Sequence, residues 1–228
     1  MEEQMTSNDW SISVIIPVYN GAAFISEAIE SVLSQSHQAM EIVVIDDGST
    51  DETASIVRQF DSPVRYHYQT NGGTGVARNN GIRIATGRFL AFLDADDLWT
   101  KDKLARQVAL FQQDPNLDLV WGNVVEFSGE KSSGDDGGPT IPGHHPGTAL
   151  IRRQAFEIIG EFSEVYQQAE VVEWASRVLQ SAIKQLMLPD TLMYRRIHKT
   201  NKGLSNPNSN QEYLQVLKRH LDRRRSKT

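Results

Sequence analysis

Continuous apolar runs alternate with helical stripes of hydrophobic residues along the first half of the chain. The runs are rich in β-branched residues, a composition typical of strands that are buried on both faces. They predict strands over residues 12–17, 41–46 and 89–93. A further run, at 64–69, alternates apolar and polar positions and predicts an exposed or edge strand.

Segments with helical periodicity separate these strands and predict helices. They cover residues 22–35, 49–60, and the stretch from the glycine turn at 72–75 to about residue 85. Ser49 and Glu52 have the spacing of a capping box at the start of the second helix. Strands and helices in this order predict an α/β fold, a three-layer sandwich with a mostly parallel central sheet flanked by helices.

The second half of the chain is less regular. Its patterns predict helices over 100–114, 153–159, 169–181 and 211–223, and strands over 117–127 and 185–195. Thr100 is expected to cap the first of these helices, and the segment 128–146, rich in Gly, Ser, Asp and Pro, predicts a mobile loop. The chain therefore divides into a polar tail (1–10), a single domain (11–204) and a basic C-terminal helix and tail (205–228).

The composition favours a cytoplasmic location. The chain has no cysteine, which excludes disulfides and thiolate metal sites. The first ten residues are acidic and polar, unlike a signal peptide, and no apolar run approaches the roughly 20 residues that cross a bilayer. We therefore expect a cytoplasmic protein, soluble or peripheral at the membrane.

Charge is unevenly distributed. The net charge of −6 does not indicate a surface that binds nucleic acid, so nucleic acid is not an expected partner. Basic residues nevertheless crowd the C-terminus: Lys218, Arg219, Arg223, Arg224, Arg225 and Lys227. This cluster is interpreted as a solvated end, with a weak contact to an anionic membrane surface as the alternative.

Polar clusters follow three of the predicted strands. They are residues 17–21 (PVYNG), 46–49 (DDGS) and 94–97 (DADD). Ligands of open parallel sheets bind at the carboxyl ends of the strands, so these clusters should converge on one edge. Carboxylates there suit Mg²⁺ or Mn²⁺ bridging a diphosphate, whereas the alternative is that they cap helices and close turns.

More specific predictions can be made for Asp47 and Arg78, which belong to these clusters or lie near them. Asp47 can accept a hydrogen bond from a nucleobase N–H, whereas Gly48, Ser49 and Asp51 are expected to form a turn and a cap. The glycines at 73 and 75 do not complete a dinucleotide-binding fingerprint, since Arg78 stands where a third glycine is required. Arg78 is interpreted as a cation near a phosphate or as a partner of the aspartates.

Four segments together resemble family 2 glycosyltransferases of the GT-A fold. They are ISVIIPVYNG, EIVVIDDGSTDET, NGGTGVARNNGIRIATGRFLAFLDADDLW and GTALIRRQAFEIIGEF, and the similarity runs in order from residue 12 to 198. The resemblance implies sugar transfer from a nucleotide-sugar donor, with inversion and with a divalent metal (Mn or Mg). It also implies a nucleotide-binding half over 11–99, an acceptor half over 100–204, and a role in polysaccharide biosynthesis.

The resemblance also assigns roles to single residues. Pro17 and Tyr19 match positions that contact the nucleotide, and Asp47 matches the acid that reads the base. Arg78 stands where the family has a basic residue near the donor. Asp94 and Asp96 match the outer members of the Asp-x-Asp motif, which bind donor and metal, and Asp96 is the stronger candidate for metal contact.

The segment 194–198 (YRRIH) resembles the Arg-x-x-His segment that closes many such domains. By this resemblance His198 is a further metal ligand, with a structural role as the alternative, and Arg195 or Arg196 faces the diphosphate. His144 and His145 fall in the predicted loop and are expected to be solvated, unless the loop folds over a bound donor.

One position departs from the family. Its catalytic base, an Asp, is replaced here by Val171, which cannot accept a proton. Glu170 or Glu173 would then serve as the base, with a solvated helix face as the alternative for both. Otherwise the acceptor needs little deprotonation, or the protein binds the donor and transfers slowly or not at all.

The nucleotide, the sugar and the acceptor stay open. The donor is expected to be linked to UDP, GDP or dTDP, and the acceptor to be a carbohydrate, a lipid-linked sugar or a peptide, while a homo-oligomer is compatible with the sequence. The rival functions are a non-catalytic sugar-nucleotide-binding protein and, ranked lower, a nucleotidyltransferase. The latter needs a glycine- and basic-rich loop after the first strand, which residues 17–21 lack.

Overall fold

A computed structural model describes residues 10–129, 138–198, 201 and 209–225. The strands are β1 (Ile12–Val18), β2 (Glu41–Asp46), β3 (Val64–Tyr68), β4 (Phe89–Phe92), β5 (Leu98–Trp99), β6 (Leu119–Phe127), β7 (Ile141–Gly143), β8 (Leu150–Arg152) and β9 (Gln185–Arg196). The helices are α1 (Ile25–Leu33), α2 (Thr53–Val57), α3 (Thr74–Ile84), α4 (Lys103–Gln113), α5 (Ala155–Ile159), α6 (Glu170–Gln180) and α7 (Ser209–Arg225). The predicted tail at 1–9 and parts of the predicted loop and C-terminal segment lie outside the described residues.

A single sheet organises the fold, in the order β3-β2-β1-β4-β8-β6-β9-β5, with β7 paired to β6. Its first four strands run parallel, as predicted, and β3 is the edge strand. Beyond β4 the sheet is mixed, because β8 is antiparallel to both β4 and β6 while β9 is parallel to β6. The parallel half therefore places the carboxyl ends of β1, β2 and β4 side by side.

Apolar side chains cover both faces of the sheet, which is why the first strands read as continuous hydrophobic runs. Every residue of β1, β2 and β4 is buried. One cluster includes α1 and α4, and the other joins α3, α5 and α6 around Trp174, which stacks on Phe156 and Phe162. Trp10, which the sequence placed in the polar tail, instead stacks on Phe89 in the core.

Two predicted helix caps are wrong. The Ser49 hydroxyl accepts the N–H of Asn20 at 2.9 Å, and α2 begins only at Thr53, whose N–H is bound by the Asp51 carboxylate at 3.0 Å. The Thr100 hydroxyl donates to the carbonyl of Thr191 at 3.2 Å, and α4 begins at Lys103. In both cases a tertiary partner takes the side chain that would have capped the helix.

The described part of the predicted loop at 128–146 is partly ordered into secondary structure. Residues 141–143 form β7, where Gly143 pairs with Gly122 of β6. A 3₁₀ turn (Pro146–Thr148) follows, and the Thr148 hydroxyl donates to the carbonyl of Gly143 at 2.6 Å. The sequence patterns did not predict the short strands β5, β7 and β8, because two or three residues are too few to show a periodicity.

Helix α7 packs against the start of α6. Val216 is buried with Tyr166 and Ala169, and the Glu212 carboxylate accepts the N–H groups of residues 167–169. Within the described ranges, no helix combines the length and the apolar character that spanning a membrane requires.

Candidate active site

A cleft of about 910 Å³ opens at the carboxyl ends of β1, β2 and β4. It brings together most of the candidate residues: Pro17, Tyr19, Asp47, Arg78, Asp94, Asp96, Glu170, Arg195 and His198. Glu173 and Arg196 are absent from its lining. The expected convergence of the strand-end clusters on one edge is therefore present in the fold.

Tyr19 and Asp47 lie on neighbouring strand ends at one side of the cleft. The Tyr19 side chain is 49% exposed, whereas Asp47 is buried. The Asp47 carboxylate accepts hydrogen bonds from Gln69 Nε2 at 2.7 Å and from the N–H groups of Gly72 and Gly73 at 2.8 and 2.9 Å. Asp47 thus fixes the glycine turn that leads into α3.

The backbone at residue 73 favours glycine. Its φ is +95°, a conformation that strains other residues, and a Cβ atom there would lie 2.5 Å from Oε1 of Gln167, whose side chain would have to move. This turn, whose glycines do not complete a dinucleotide-binding motif, brings the start of α3 against the segment before α6.

Arg78 lies between two carboxylates beneath the cleft. Its guanidinium contacts Asp94 Oδ1 at 2.6 Å and Glu170 Oε1 at 3.2 Å, and it stacks over the Phe162 ring. Burial lowers the pKa of Arg78, but the two carboxylates more than offset this, so its pKa is raised above the ordinary value. The interpretation of Arg78 as a partner of the aspartates agrees with this geometry.

The acidic cluster divides into residues with different surroundings. The Asp96 carboxylate contacts His198 Nε2 at 2.9 Å, while the His198 ring packs on Phe24. Asp97 is buried and accepts the N–H of Arg196 at 2.9 Å. Burial, together with the charges of Asp96 and Asp94, raises the pKa of Asp97 well above its usual range.

We expect Asp97→Asn to stabilise the protein at neutral pH. Because the folded-state pKa of Asp97 is raised, this residue costs stability as the pH rises above the ordinary aspartate pKa. The amide avoids that cost and can still accept the Arg196 N–H. The free energy of unfolding, measured by urea denaturation from acidic to neutral pH, should fall less steeply in the variant. Identical pH dependence in both proteins would contradict the assignment.

The two candidate arginines of β9 have different positions. Arg196 is buried and donates to Glu27 at 2.7 Å and to the carbonyls of Asp96 and Gly129 at 3.1 and 3.0 Å. Its guanidinium therefore ties elements together outside the cleft and does not face a diphosphate. Arg195 lines the cleft and pairs with Glu126 at 3.1 Å. Alternation along a strand separates the two side chains.

The two candidate bases are also separated. Both are buried, so the alternative of a solvated helix face is wrong for both. Glu173 lies outside the cleft lining and pairs with Arg177 at 2.9 Å, a contact that removes it from the acceptor side. Glu170 lines the cleft, and its Oε2 atom is buried without a hydrogen-bond partner among the described residues.

His145 lines the cleft, although the sequence predicted it to be solvated. Its Nε2 lies 3.8 Å from Asp94 Oδ2, and its Nδ1 accepts the N–H of Gly147 at 3.1 Å. Burial lowers the pKa of His145 to about 4, so the ring is neutral at pH 7. The neighbouring His144 is exposed, as expected, and lies edge-on to Trp121. Only the pairing of β7 with β6, which no local pattern reveals, carries His145 to the cleft.

Comparison with known proteins places this fold and site in a family. The sequence model described as "Glycosyl transferase family 2" matches residues 13–136, more than half of the chain. The chain belongs to glycosyl transferase family 2. The matched region includes Tyr19, Asp47, Arg78 and the acidic cluster, which are the residues that form the floor of the cleft.

Curated glycosyltransferases align with about half of this chain. TuaG of Bacillus subtilis, a putative teichuronic acid biosynthesis glycosyltransferase, is 42% identical over 106 residues (45% of this chain, 42% of TuaG). WfgD of Escherichia coli is named a UDP-Glc:alpha-D-GlcNAc-diphosphoundecaprenol beta-1,3-glucosyltransferase; it is 40% identical over 119 residues (51% of this chain, 46% of WfgD). The chain thus spans less than half the length of these relatives.

Solved structures extend the similarity in fold to most of the chain. Residues 1–349 of S. aureus TarS, in complex with UDP-GlcNAc, superpose with a TM-score of 0.75 at 24% identity. The similarity covers 92% of this chain and 65% of that TarS chain. The glycosyltransferase 2 domain described above therefore has the GT-A fold that its sequence predicted.

The donor atoms available to a metal ion in this family member are few. No group of three or more His, Cys, Asp and Glu side chains that could hold a metal occurs in the described part of the chain. Asp94 is paired with Arg78. Asp96 and His198 form an acid–imidazole pair that lines the cleft. Mg²⁺ and Mn²⁺ commonly take one or two protein ligands and complete their shell with water and substrate phosphates. This pair fits that requirement.

Proposed function

We propose that this family 2 protein transfers a sugar from a UDP-linked donor to an acceptor hydroxyl, with inversion at the anomeric carbon and with a divalent metal ion. The observation that carries the proposal is the meeting of Tyr19, Asp47, Asp96 and His198 in one cleft at the strand ends. The choice of UDP is supported by the UDP-GlcNAc complex of TarS and by the UDP-Glc donor in the name of WfgD.

The donor would lie along the strand ends. The nucleobase would approach Asp47, which is already oriented by Gln69 and by the glycine turn, and the half-exposed Tyr19 would border the nucleotide. The diphosphate would then lie near Asp96 and His198, with Arg195 as the cation of the cleft wall. A bound metal ion would neutralise the charge that develops on the departing diphosphate.

Asp94 has a different role in this proposal. Because Arg78 neutralises it at 2.6 Å, Asp94 acts as a fixed acceptor for donor hydroxyls and is the weaker candidate for metal contact. His145 Nε2, which carries the proton when Nδ1 accepts the Gly147 N–H, is a donor on the other side of Asp94. Together the two residues can orient the sugar for in-line attack.

Glu170 is the carboxylate best placed to assist the acceptor. It lines the cleft, and its Oε2 has no hydrogen-bond partner in the described residues. Its other oxygen is held by Arg78 at 3.2 Å, which fixes the orientation of the carboxylate.

A second candidate function follows from Val171. This residue also lines the cleft, at the position where the family has its base. If Glu170 does not replace that base, the protein binds the sugar nucleotide and transfers it slowly or not at all. Release of UDP or transferred sugar with any UDP-sugar would argue against this alternative.

Asp96→Asn should abolish most of the metal-dependent binding of UDP. The amide keeps the size of the side chain but loses the charge that would hold the cation. Thermal unfolding with UDP, with and without Mn²⁺, measures this directly, since a ligand at about 100 times its Kd adds roughly 2.7 kcal/mol of stability. The wild type should gain stability from UDP only with Mn²⁺.

Asp97→Asn is the matched control for this experiment. It removes a carboxylate from the same turn, but Asp97 is buried against Arg196 and its raised pKa already disfavours its charge. The control should retain the Mn²⁺-dependent gain of the wild type. Equal retention in Asp96→Asn would remove Asp96 from the metal site.

A further inference from the structure

Helix α7 exposes a stripe of leucines. Leu214, Leu217 and Leu221 are 65%, 54% and 44% exposed. Their spacing of three and four residues places them within an arc of about 60° on one side of the helix. Solvent-exposed leucines that repeat at helical spacing form a continuous apolar surface rather than scattered exposed residues.

The opposite side of α7 is fixed to the domain. Val216 is buried against Tyr166, and the Glu212 carboxylate accepts the N–H of Gln168 at 2.8 Å. One turn further on, His220 Nδ1 contacts the Ser176 hydroxyl at 2.7 Å. These contacts set the rotation of the helix, so the leucine stripe faces away from the protein.

The charge around the leucine stripe indicates which kind of partner binds it. Lys218 is exposed within the same stretch of helix, and the sequence continues with basic residues at 223, 224, 225 and 227. The chain as a whole carries −6, so the positive charge is concentrated at this end. An apolar helix face accompanied by Lys and Arg is typical of helices that lie in the surface of an anionic membrane. A second copy of the chain would bring two basic ends together, which repulsion disfavours.

The start of α7 borders the cleft. Tyr213 lines it together with Val171 and Val172 of α6, and the Tyr213 hydroxyl donates to the carbonyl of Gln168 at 3.3 Å. A surface that bound the leucine stripe would therefore lie next to the part of the cleft that Tyr213, Val171 and Val172 line.

We propose that α7 docks the protein on an anionic lipid surface through Leu214, Leu217 and Leu221, with the positive charge of Lys218 and of the basic sequence that follows attracting the lipid headgroups. In this orientation the edge of the cleft that Tyr213 lines would lie beside the membrane, which suits an acceptor sugar carried on a lipid diphosphate. This statement about the acceptor rests on the proposed function, whereas the docking surface itself does not.

Vesicle co-sedimentation of the full chain tests the docking surface. Vesicles of phosphatidylcholine containing about 30% phosphatidylglycerol should bind at least about tenfold more protein than phosphatidylcholine alone, because each basic residue adds attraction only at the anionic surface. Binding should weaken as salt is raised. The triple variant L214S/L217S/L221S should lose about tenfold or more of the binding to anionic vesicles.

The matched control is the variant M40S/I158S/L186S. It removes exposed apolar side chains of similar exposure (45%, 62% and 38%) from other elements and should bind as the wild type does. Equal binding to neutral and anionic vesicles, or equal losses in the two variants, would overturn the proposal. So would leucine-dependent dimerisation in light scattering without vesicle binding.

A separate readout keeps the two proposals distinguishable. Stabilisation by UDP and Mn²⁺ without vesicles should be the same in the wild type and in both triple variants, since none of the substituted residues lines the cleft. Vesicle binding without a UDP effect would leave the docking surface standing and refute the donor site. A UDP effect without vesicle binding would do the reverse.

Discussion

Val171→Asp is expected to raise the rate of sugar transfer by about 100-fold or more. A positioned carboxylate base typically contributes about 100-fold to 10,000-fold, or roughly 3–5 kcal/mol of activation free energy. Val171 is partly exposed, lines the cleft and belongs to the first turn of α6, where a negative charge is favoured by the helix dipole. The measurement is the release of UDP and the transfer of sugar, using the UDP-sugar that most stabilises the protein with Mn²⁺.

Val172→Asp provides the control for this experiment. Val172 is the adjacent valine on the same helix and also lines the cleft, but its side chain points about 100° away. This variant adds the same charge to the same turn without a base at the family position, and its transfer rate should stay near that of the wild type. If both variants behave alike while UDP binding is retained, the absence of a base at residue 171 does not limit the reaction.

Arg78→Met is expected to lower the free energy of unfolding by about 3–5 kcal/mol, because removing the cation leaves the buried carboxylate of Glu170 without a compensating charge. Arg78 is 2% exposed and lies between Asp94 and Glu170, the latter itself buried. Methionine keeps most of the volume, so the loss reports charge rather than packing. Urea denaturation at pH 7 measures the change.

Two further variants make this prediction specific. Arg83→Met, on the same helix, removes an exposed arginine that pairs with the exposed Glu161, and should cost no more than about 1 kcal/mol. Adding Glu170→Gln to Arg78→Met should recover part of the lost stability, since it removes one uncompensated charge. Equal effects of Arg78→Met and Arg83→Met would show that the buried cluster does not depend on its cation.

The Arg78 cluster also joins three elements that border the cleft. Arg78 belongs to α3, Asp94 follows β4, and Glu170 begins α6. In the proposed mechanism, a change at any of these residues should therefore alter both the orientation of the donor and the position of Glu170. Val171 is not a member of this cluster. A change in the transfer rate of Val171→Asp can therefore be attributed to the added carboxylate and not to a rearranged cluster.

Much of the parallel half of the fold could be read from the sequence, as could the positions of its functional clusters. Strands buried on both faces must be continuously apolar, so β1, β2 and β4 were visible as runs, and the polar residues after them marked the strand ends. Parallel strands align their carboxyl ends, which is why Asp47 and Asp96 could be expected in one cleft before any coordinates.

Side-chain direction in the second half of the chain could not be read in the same way. Glu170 and Glu173 are both glutamates of α6, and Arg195 and Arg196 are neighbours on β9. In each of these pairs only the first residue lines the cleft. Which one turns inward depends on how α6 and β9 pack against their neighbours. A local pattern contains no information on that packing.

The amino-acid sequence alone thus determined the family, the parallel sheet and the edge at which the polar clusters converge, because periodicity and strand-end motifs are local properties. Only the tertiary structure decided that Asp94 is neutralised by Arg78, that Asp97 is buried, and that His145 reaches the cleft. It also decided that α7 turns its leucines outward. These features depend on contacts between segments far apart in the chain, and such contacts fix the charge and the accessibility of a side chain.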